Sequence, residues 1–158
     1  MKETLEKLVE RFGDAILATE SFRGDEVCVV KRESLIDVCK YLKSELSFDM
    51  MSDLCGADYP GRDERFEVVY HLYSVDAGKR LRLKVRLPQE NPLVASVSGI
   101  WKGANWFERE AYDLFGIKFE DHPNLKRILC YNEFVGHALR KDYPKNRRGV
   151  IPTPDTLI

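Results

Sequence analysis

The stretch RLRLKVRL, residues 80–87, alternates strictly between basic and apolar side chains. A period of two is the repeat of a β-strand, in which successive side chains point to opposite faces of a sheet. The stretch therefore predicts a strand with one face in an apolar core and four cations on the other. The apolar positions are Leu81, Leu83, Val85 and Leu87.

A second apolar strand, RFEVVYHLYSV, precedes this one, and DAGK predicts the turn between them. A two-residue tip in that turn would place Arg82 opposite Tyr73 and Lys84 opposite His71. In this register no acid on the neighbouring strand compensates the cations.

The basic face has three interpretations. It is a solvated surface whose long stems cover apolar neighbours, or a docking surface for an acidic partner. It is also compatible with a nucleic-acid interface, because Tyr70, His71 and Tyr73 could stack on bases. The acidic balance elsewhere in the chain weighs against nucleic acid.

The upstream sequence completes the fold prediction. MKETLEKLVERFG and SLIDVCKYLKSEL carry apolar residues at helical spacing, with Ser34 as the predicted N-cap of the second helix. DAILATE, EVCVVKR and DMMSDLCGADYPG predict three more strands. We therefore expect an α+β fold, with a mixed or antiparallel sheet of about five strands packed by helices.

Composition limits the function classes. The 158 residues are 44% hydrophobic and 32% charged, which is enough for one core-forming domain. A net charge of −1 gives no bulk attraction to nucleic acid or anionic lipid. No apolar run approaches the roughly 18 to 20 residues of a membrane span, and the N-terminus lacks secretory features. We expect a cytosolic chain with reduced, half-buried cysteines.

The stretch WFEREAYDLFG, residues 106–116, predicts a helix that ends at Gly116. Asn105 and Glu108 have the spacing of a capping box. The predicted buried stripe is Phe107, Ala111 and Leu114, and the predicted opposite side is Trp106, Arg109, Glu110 and Asp113. The acids are interpreted as an exposed or interfacial charge cluster and not as a catalytic pair.

The remaining sequence, residues 119–158, holds four of the seven prolines and little regular pattern. It predicts an extended C-terminal arm after an α+β domain of residues 1–118. Its apolar residues favour an arm ordered by a partner. His122, Cys130 and His137 have no usual metal-ligand spacing, so no metal site is predicted.

Together these stretches resemble a known family. The helix E-R-E-x-Y-D-L-F-G-I, the loop H-P-x-L-x-R-I-L and the segment G-H-x-L-R-K-D-Y-P occur in order between residues 108 and 144. They are similar to the 30 kDa subunit of respiratory complex I, which is also known as the C subunit of bacterial NADH:quinone oxidoreductase and the J subunit of the plastid enzyme. Ala138 departs from the family's usual proline, which leaves a backbone N–H to be satisfied.

The resemblance implies a non-catalytic structural subunit of the complex's peripheral arm. Electrons pass from NADH to quinone in such a complex, coupled to proton translocation. Iron–sulfur clusters, FMN and quinone would be carried by other subunits, and this chain would hold no cofactor or metal. The implied partners are the quinone-site 49 kDa-type subunit and the iron–sulfur subunits. The chain would lie on the cytoplasmic face of the inner membrane and reach the membrane only through the complex.

The motifs also supply candidate interface residues. They are Glu108, Arg109, Glu110, Asp113, His122, Pro123, Arg127, Gly136, His137, Arg140, Lys141, Asp142, Tyr143 and Pro144. Two other functions stay open at this point. One is the same role in a relative of complex I with another electron donor, and the other is a nucleic-acid-binding module.

Overall fold

The computed structural model of the chain describes residues 2–146, apart from the side chains at positions 2 and 22. This part of the chain forms three α-helices and seven β-strands, with short 3₁₀ turns before β1 and α2. The elements are α1 (Lys2–Phe12), β1 (Ile16–Phe22), β2 (Asp25–Val30), α2 (Leu35–Ser44), β3 (Met50–Asp58), β4 (Phe66–Ser74), β5 (Lys79–Leu87), β6 (Leu93–Ala95), α3 (Ala104–Phe115) and β7 (Lys118–Glu120).

The main sheet has five strands in the order β1-β2-β5-β4-β3. β2 pairs with β5 in parallel, and the other neighbours are antiparallel. The predicted α+β class with a mixed sheet is therefore confirmed. The strictly alternating strand is β5, which lies at the centre of the main sheet. Its apolar side chains are buried along its whole length.

All three helices pack on one face of this sheet. The apolar positions of β5 join Leu8 of α1, Leu42 of α2 and Phe115 of α3 in one buried cluster. Gly56 of β3 lets α3 approach, since a Cβ there would lie 2.7 Å from the Phe115 ring. None of the helices described here is long and apolar enough to cross a membrane.

The predicted register of the β4–β5 hairpin is wrong. Ser74 pairs with Lys79, so the turn has four residues, and Arg82 lies opposite His71. Lys84 consequently lies opposite Val69. The longer turn shifts every pair by two positions and keeps the same face outward.

The outer face of the sheet carries its own compensating acids, contrary to the expectation from the sequence. Glu67 is 2.9 Å from the Lys84 ammonium and 3.7 Å from Arg86. The neighbours of Lys84 in the sheet are Val29 and Val69, which are 6% and 8% exposed. The long cationic stems thus cover these valines, as the solvated-surface interpretation requires.

A second, two-stranded sheet joins β6 to β7 in parallel. The predicted boundary at residue 118 lies inside β7, and Phe119 is buried at 3% exposure. The first residues assigned to the predicted C-terminal arm therefore form part of β7.

Candidate functional site

The helix α3 begins at Ala104 after Gly103, which makes no side-chain capping bond. The predicted capping box is therefore wrong, because Glu108 points inward instead of back to the helix start. The predicted end is correct: Gly116 adopts a left-handed conformation at φ 75°. Of the predicted buried stripe, Ala111 is fully buried, whereas Phe107 and Leu114 are half-buried.

Glu108 is fully buried and fastens the loop before α3. One carboxyl oxygen lies 2.6 Å from the Ser96 hydroxyl, and the other accepts the Val97 N–H at 2.7 Å. Burial raises the pKa of Glu108 to about 7, although both hydrogen bonds oppose that rise. The Glu108 carboxyl thus supplies hydrogen-bond acceptors for the Ser96 hydroxyl and the Val97 backbone N–H of this loop.

His122 lies beside Glu108 as a neutral ring. Its Nδ1 accepts the Asn124 N–H at 3.0 Å, so the proton resides on Nε2. That Nε2–H donates to the Asn105 carbonyl at 3.0 Å. The separation of 3.8 Å between Nε2 and the Glu108 carboxyl is therefore not a charged pair.

Asp113 is also fully buried, so the prediction of an exposed or interfacial cluster of Glu110 and Asp113 is wrong for Asp113. One Asp113 oxygen accepts the backbone N–H groups of residues 128, 129 and 130 at 2.8–3.0 Å. The other accepts Arg127 at 2.6 Å. Burial alone would raise the pKa of Asp113, but these donors outweigh it and lower the pKa to about 2.

Arg127 extends this network to the next turn of the C-terminal arm. Its second terminal nitrogen donates to the carbonyls of Phe134 and Gly136, both at 2.9 Å. The guanidinium carbon lies 5.7 Å from the centre of the Phe134 ring. One arginine thus joins α3 to two turns of the arm.

Residues 137–140 of the arm cap the C-terminus of α3. The last carbonyls of a helix have no partners within it. His137 Nδ1 donates to the Asp113 carbonyl at 2.9 Å, and the Leu139 N–H donates to the Leu114 carbonyl at 3.0 Å. Arg140 donates to the Phe115 carbonyl at 2.6 Å and adds a positive charge where the helix dipole is negative.

This cap needs a glycine at the helix end. A Cβ on Gly116 would lie 2.5 Å from both His137 Nε2 and an Arg140 terminal nitrogen. Gly116 therefore serves the left-handed turn and the approach of the arm at once.

The arm is finally held by two residues that sequence reasoning missed, Asp58 and Arg65. They form a buried bidentate pair with distances of 2.7 and 2.8 Å at the β3–β4 turn. Arg65 also binds Asp142 at 2.9 Å, and Asp58 accepts the Lys141 N–H at 2.7 Å. The sequence favoured an arm ordered by a partner, whereas these polar groups of the arm have partners within the chain itself. The signal available in the sequence was weak, since acids and arginines are common near turns.

The candidate interface residues fall into three groups by burial. Glu108 and Asp113 are buried. The half-buried members are Arg109, His122, Arg127, His137, Arg140 and Tyr143. The exposed members are Glu110, Pro123, Gly136, Lys141, Asp142 and Pro144.

The arm also exposes large apolar side chains, which we call the docking surface. Leu129 is 63% exposed, Val135 is 64% exposed and Leu139 is 49% exposed. The backbones beside all three are bonded to the C-terminal half of α3, directly or through Arg127. The site as a whole fixes an apolar surface in place and gives its buried charges structural partners.

Comparison with known proteins agrees with this part of the chain. The family described as "Respiratory-chain NADH dehydrogenase, 30 Kd subunit" matches residues 28–149. The C subunit of the NADH-quinone oxidoreductase of Geotalea uraniireducens is 46% identical over 138 residues, 87% of this chain and 84% of the relative. The C/D subunit of the same enzyme in Bdellovibrio bacteriovorus is 46% identical over 125 residues, 79% of this chain but 22% of the relative.

A solved structure shares the fold. It is a trypsin-resistant fragment (1–134) of Nqo5, with a TM-score of 0.70 and 34% identity over 78% of this chain and 98% of the fragment. The family match spans most of the sequence, including the helix and the arm described above. This chain therefore belongs to the 30 kDa subunit family of the respiratory-chain NADH dehydrogenase, complex I.

Proposed function

We propose that the chain is a structural subunit of the peripheral arm of NADH:quinone oxidoreductase and has no catalytic residue or redox cofactor of its own. It supports the quinone-reducing 49 kDa-type subunit next to the iron–sulfur subunits. FMN, iron–sulfur clusters and quinone belong to those other subunits. The chain acts at the cytoplasmic face of the inner membrane, attached through the complex that couples electron transfer to proton translocation.

The observation that carries this proposal is the docking surface. Leu129, Val135 and Leu139 are exposed although a fixed backbone holds them. All three lie on one segment of the chain, and large apolar side chains exposed together on a monomer are typical of protein interaction sites. The exposed charged members of the candidate interface, Glu110, Lys141 and Asp142, are suited to the polar rim of such an interface.

A supporting role is also favoured by the state of the buried charges. Asp113 and Arg127 are bound to each other and to the backbone of the arm. Groups that already have fixed partners position a segment and are poorly suited to transfer protons. Their contribution to the enzyme is therefore geometric.

The choice of partner is supported by the relative in Bdellovibrio bacteriovorus. That protein carries the combined name C/D, and the region similar to this chain occupies 22% of it. Two subunits joined in one polypeptide are held at high effective concentration, which suits subunits that contact each other. We assign the D subunit, the quinone-site protein, as the occupant of the docking surface.

The test replaces Leu129, Val135 and Leu139 together with serine in the complex. The expected result is a folded chain that no longer copurifies with the quinone-site subunit, and loss of NADH:quinone reductase activity in the membranes. The matched control is Leu17→Ser with Val75→Ser, which removes side chains of 47% and 59% exposure away from the arm.

The control pair should leave assembly and activity at the level of the unmodified chain. Normal assembly of the triple variant would refute the docking surface. A complex that assembles at normal yield but has lost quinone reduction would instead indicate a catalytic role.

A further inference from the structure

The outer face of the main sheet brings together three side chains with metal-ligand chemistry. Asp53 and Cys55 are two residues apart on β3, and His71 is the direct partner of Asp53 on β4. One ligand atom from each, a carboxylate oxygen, a sulfur and an imidazole nitrogen, lies within 4.8 Å of the other two. The cluster belongs to the face opposite the helices and is separate from the docking surface.

We propose that Asp53, Cys55 and His71 form a binding site for a divalent zinc ion. Thiolate, imidazole and carboxylate are the three ligand types that zinc uses in proteins. Metal–ligand bonds of about 2.0 to 2.3 Å in a tetrahedral site place ligand atoms roughly 3.5 Å apart. The three ligand atoms now lie within 4.8 Å of one another. Strand pairing fixes the backbone positions, so small side-chain rotations would bring these atoms to the separation found in a tetrahedral site.

The three side chains are free to take a ligand. Within residues 2–146 none of them has a hydrogen-bond or ion-pair partner that would have to be broken. None of the three is buried, so an ion reaches them from solvent. In contrast, the carboxylate oxygens of Asp113 and Glu108 already accept hydrogen bonds.

Charge balance also favours a divalent ion. A carboxylate and a thiolate supply two negative charges, so bound zinc makes the site neutral. Neutrality matters because Arg82 lies opposite His71 in the sheet and would repel a site with positive charge. Arg82 itself lies 3.5 Å from Asp25, whose carboxylate partly balances its charge.

Water from solvent would supply the fourth ligand, since none of the three side chains is buried. His71 lines a groove of about 390 Å³, together with Ser52, Tyr73 and Arg82. Three protein ligands with an open position are the arrangement of exposed zinc sites that exchange their fourth ligand. This inference revises the expectation from the sequence that the chain binds no metal. That expectation rested on the spacing of residues along the chain and on the family resemblance, whereas the pairing of β3 with β4 that joins Asp53 to His71 is not visible in the sequence.

The test is a Co²⁺ titration of the full chain with a thiol-free reductant. The expected result is 1:1 binding with a thiolate-to-cobalt charge-transfer band, competed by Zn²⁺. Cys55→Ser should abolish the band, and His71→Asn should weaken binding about tenfold or more. The matched control is Cys130→Ser, which removes a half-buried thiol elsewhere and should leave the titration unchanged.

Two measurements on the unmodified chain make the result independent of variant folding. Zn²⁺ should protect Cys55, but not Cys130, from alkylation read by peptide mass mapping. Zn²⁺ at about a hundredfold over its dissociation constant should raise the melting temperature by roughly 5 to 10 °C. Absence of saturable binding, a band that survives Cys55→Ser, or equal alkylation of both cysteines would overturn the site. None of these readouts depends on assembly of the complex, so they are separate from the proposed function.

Discussion

The substitution Asp113→Asn isolates the charge that holds the C-terminal arm. Asn keeps the size of the side chain but replaces one acceptor oxygen with a donor. Either orientation of the amide is unfavourable: its NH₂ group faces Arg127, or it faces three backbone N–H donors. Some of these donors then stay buried without an acceptor.

The size of the effect follows from the depressed pKa. Donors that favour the carboxylate outweigh burial and move the pKa from 3.8 to about 2. At about 1.36 kcal/mol per pKa step, this corresponds to roughly 2.5 kcal/mol at neutral pH. For a chain of this length the melting temperature should fall by roughly 5 to 10 °C.

The pH dependence gives an independent check on the cause. Because folding lowers the pKa of Asp113, its contribution is present above pH of about 4 and is lost as the pH falls towards 2. The difference in unfolding free energy between Asp113→Asn and the unmodified chain should therefore narrow between pH 7 and about pH 3. Urea unfolding at several pH values measures it.

Glu110→Gln is the matched control, because it removes a carboxylate from an exposed position of the same helix. It should change the unfolding free energy by less than about 0.5 kcal/mol. The reasoning fails if Asp113→Asn is as stable as this control at pH 7, or if its deficit is the same at every pH.

Three further predictions address other parts of the chain. Glu108→Gln keeps the hydrogen bonds to the neighbouring loop but does not titrate. Folding raises the pKa of Glu108 to about 7, so the unfolding free energy of the unmodified chain should fall by roughly 3 kcal/mol relative to the variant as the pH rises from about 4 to 8. Urea unfolding at several pH values measures this difference. Gly116→Ala should lower the unfolding free energy by about 2 kcal/mol or more, because the added Cβ clashes with the arm. Gly103→Ala has open space around it and should lower the unfolding free energy by less than about 0.5 kcal/mol; thermal melting compares the two variants. Arg82→Gln with Lys84→Gln should leave the circular dichroism spectrum and copurification with the complex unchanged; loss of partner binding would identify the basic face as an interface.

The main sheet could be predicted because its signals are local. The alternation around Leu83 and the helical spacing around Val38 each need only one segment of sequence, and both residues are fully buried. The hairpin register could not be predicted, since it depends on whether the turn has two or four residues. The same limit hid the cluster of Asp53, Cys55 and His71.

The inward acids of α3 illustrate a different limit. A pattern of apolar and polar residues assigns every carboxylate to the surface, yet Glu108 and Asp113 are both 0% exposed. Their partners are backbone N–H groups of loops distant in sequence, which carry no pattern of their own. Ser34 shows the converse error, since it has the type of an N-cap but makes no capping bond.

The contacts between the C-terminal arm and α3 reduce the entropy cost of docking to a partner. Ordering a flexible segment costs about 1 to 2 kcal/mol per residue in backbone entropy alone, so a disordered arm would lose much of its contact energy on docking. Here Asp113 of α3 binds Arg127 and the Leu129 N–H of the arm, and Arg140 of the arm binds the Phe115 carbonyl, before any partner arrives. Phe115 in turn packs against Gly56, which ties that helix end to the main sheet. The partner therefore meets a surface whose ordering cost was met during folding, and variants that loosen the arm should weaken docking even when every exposed contact residue is unchanged.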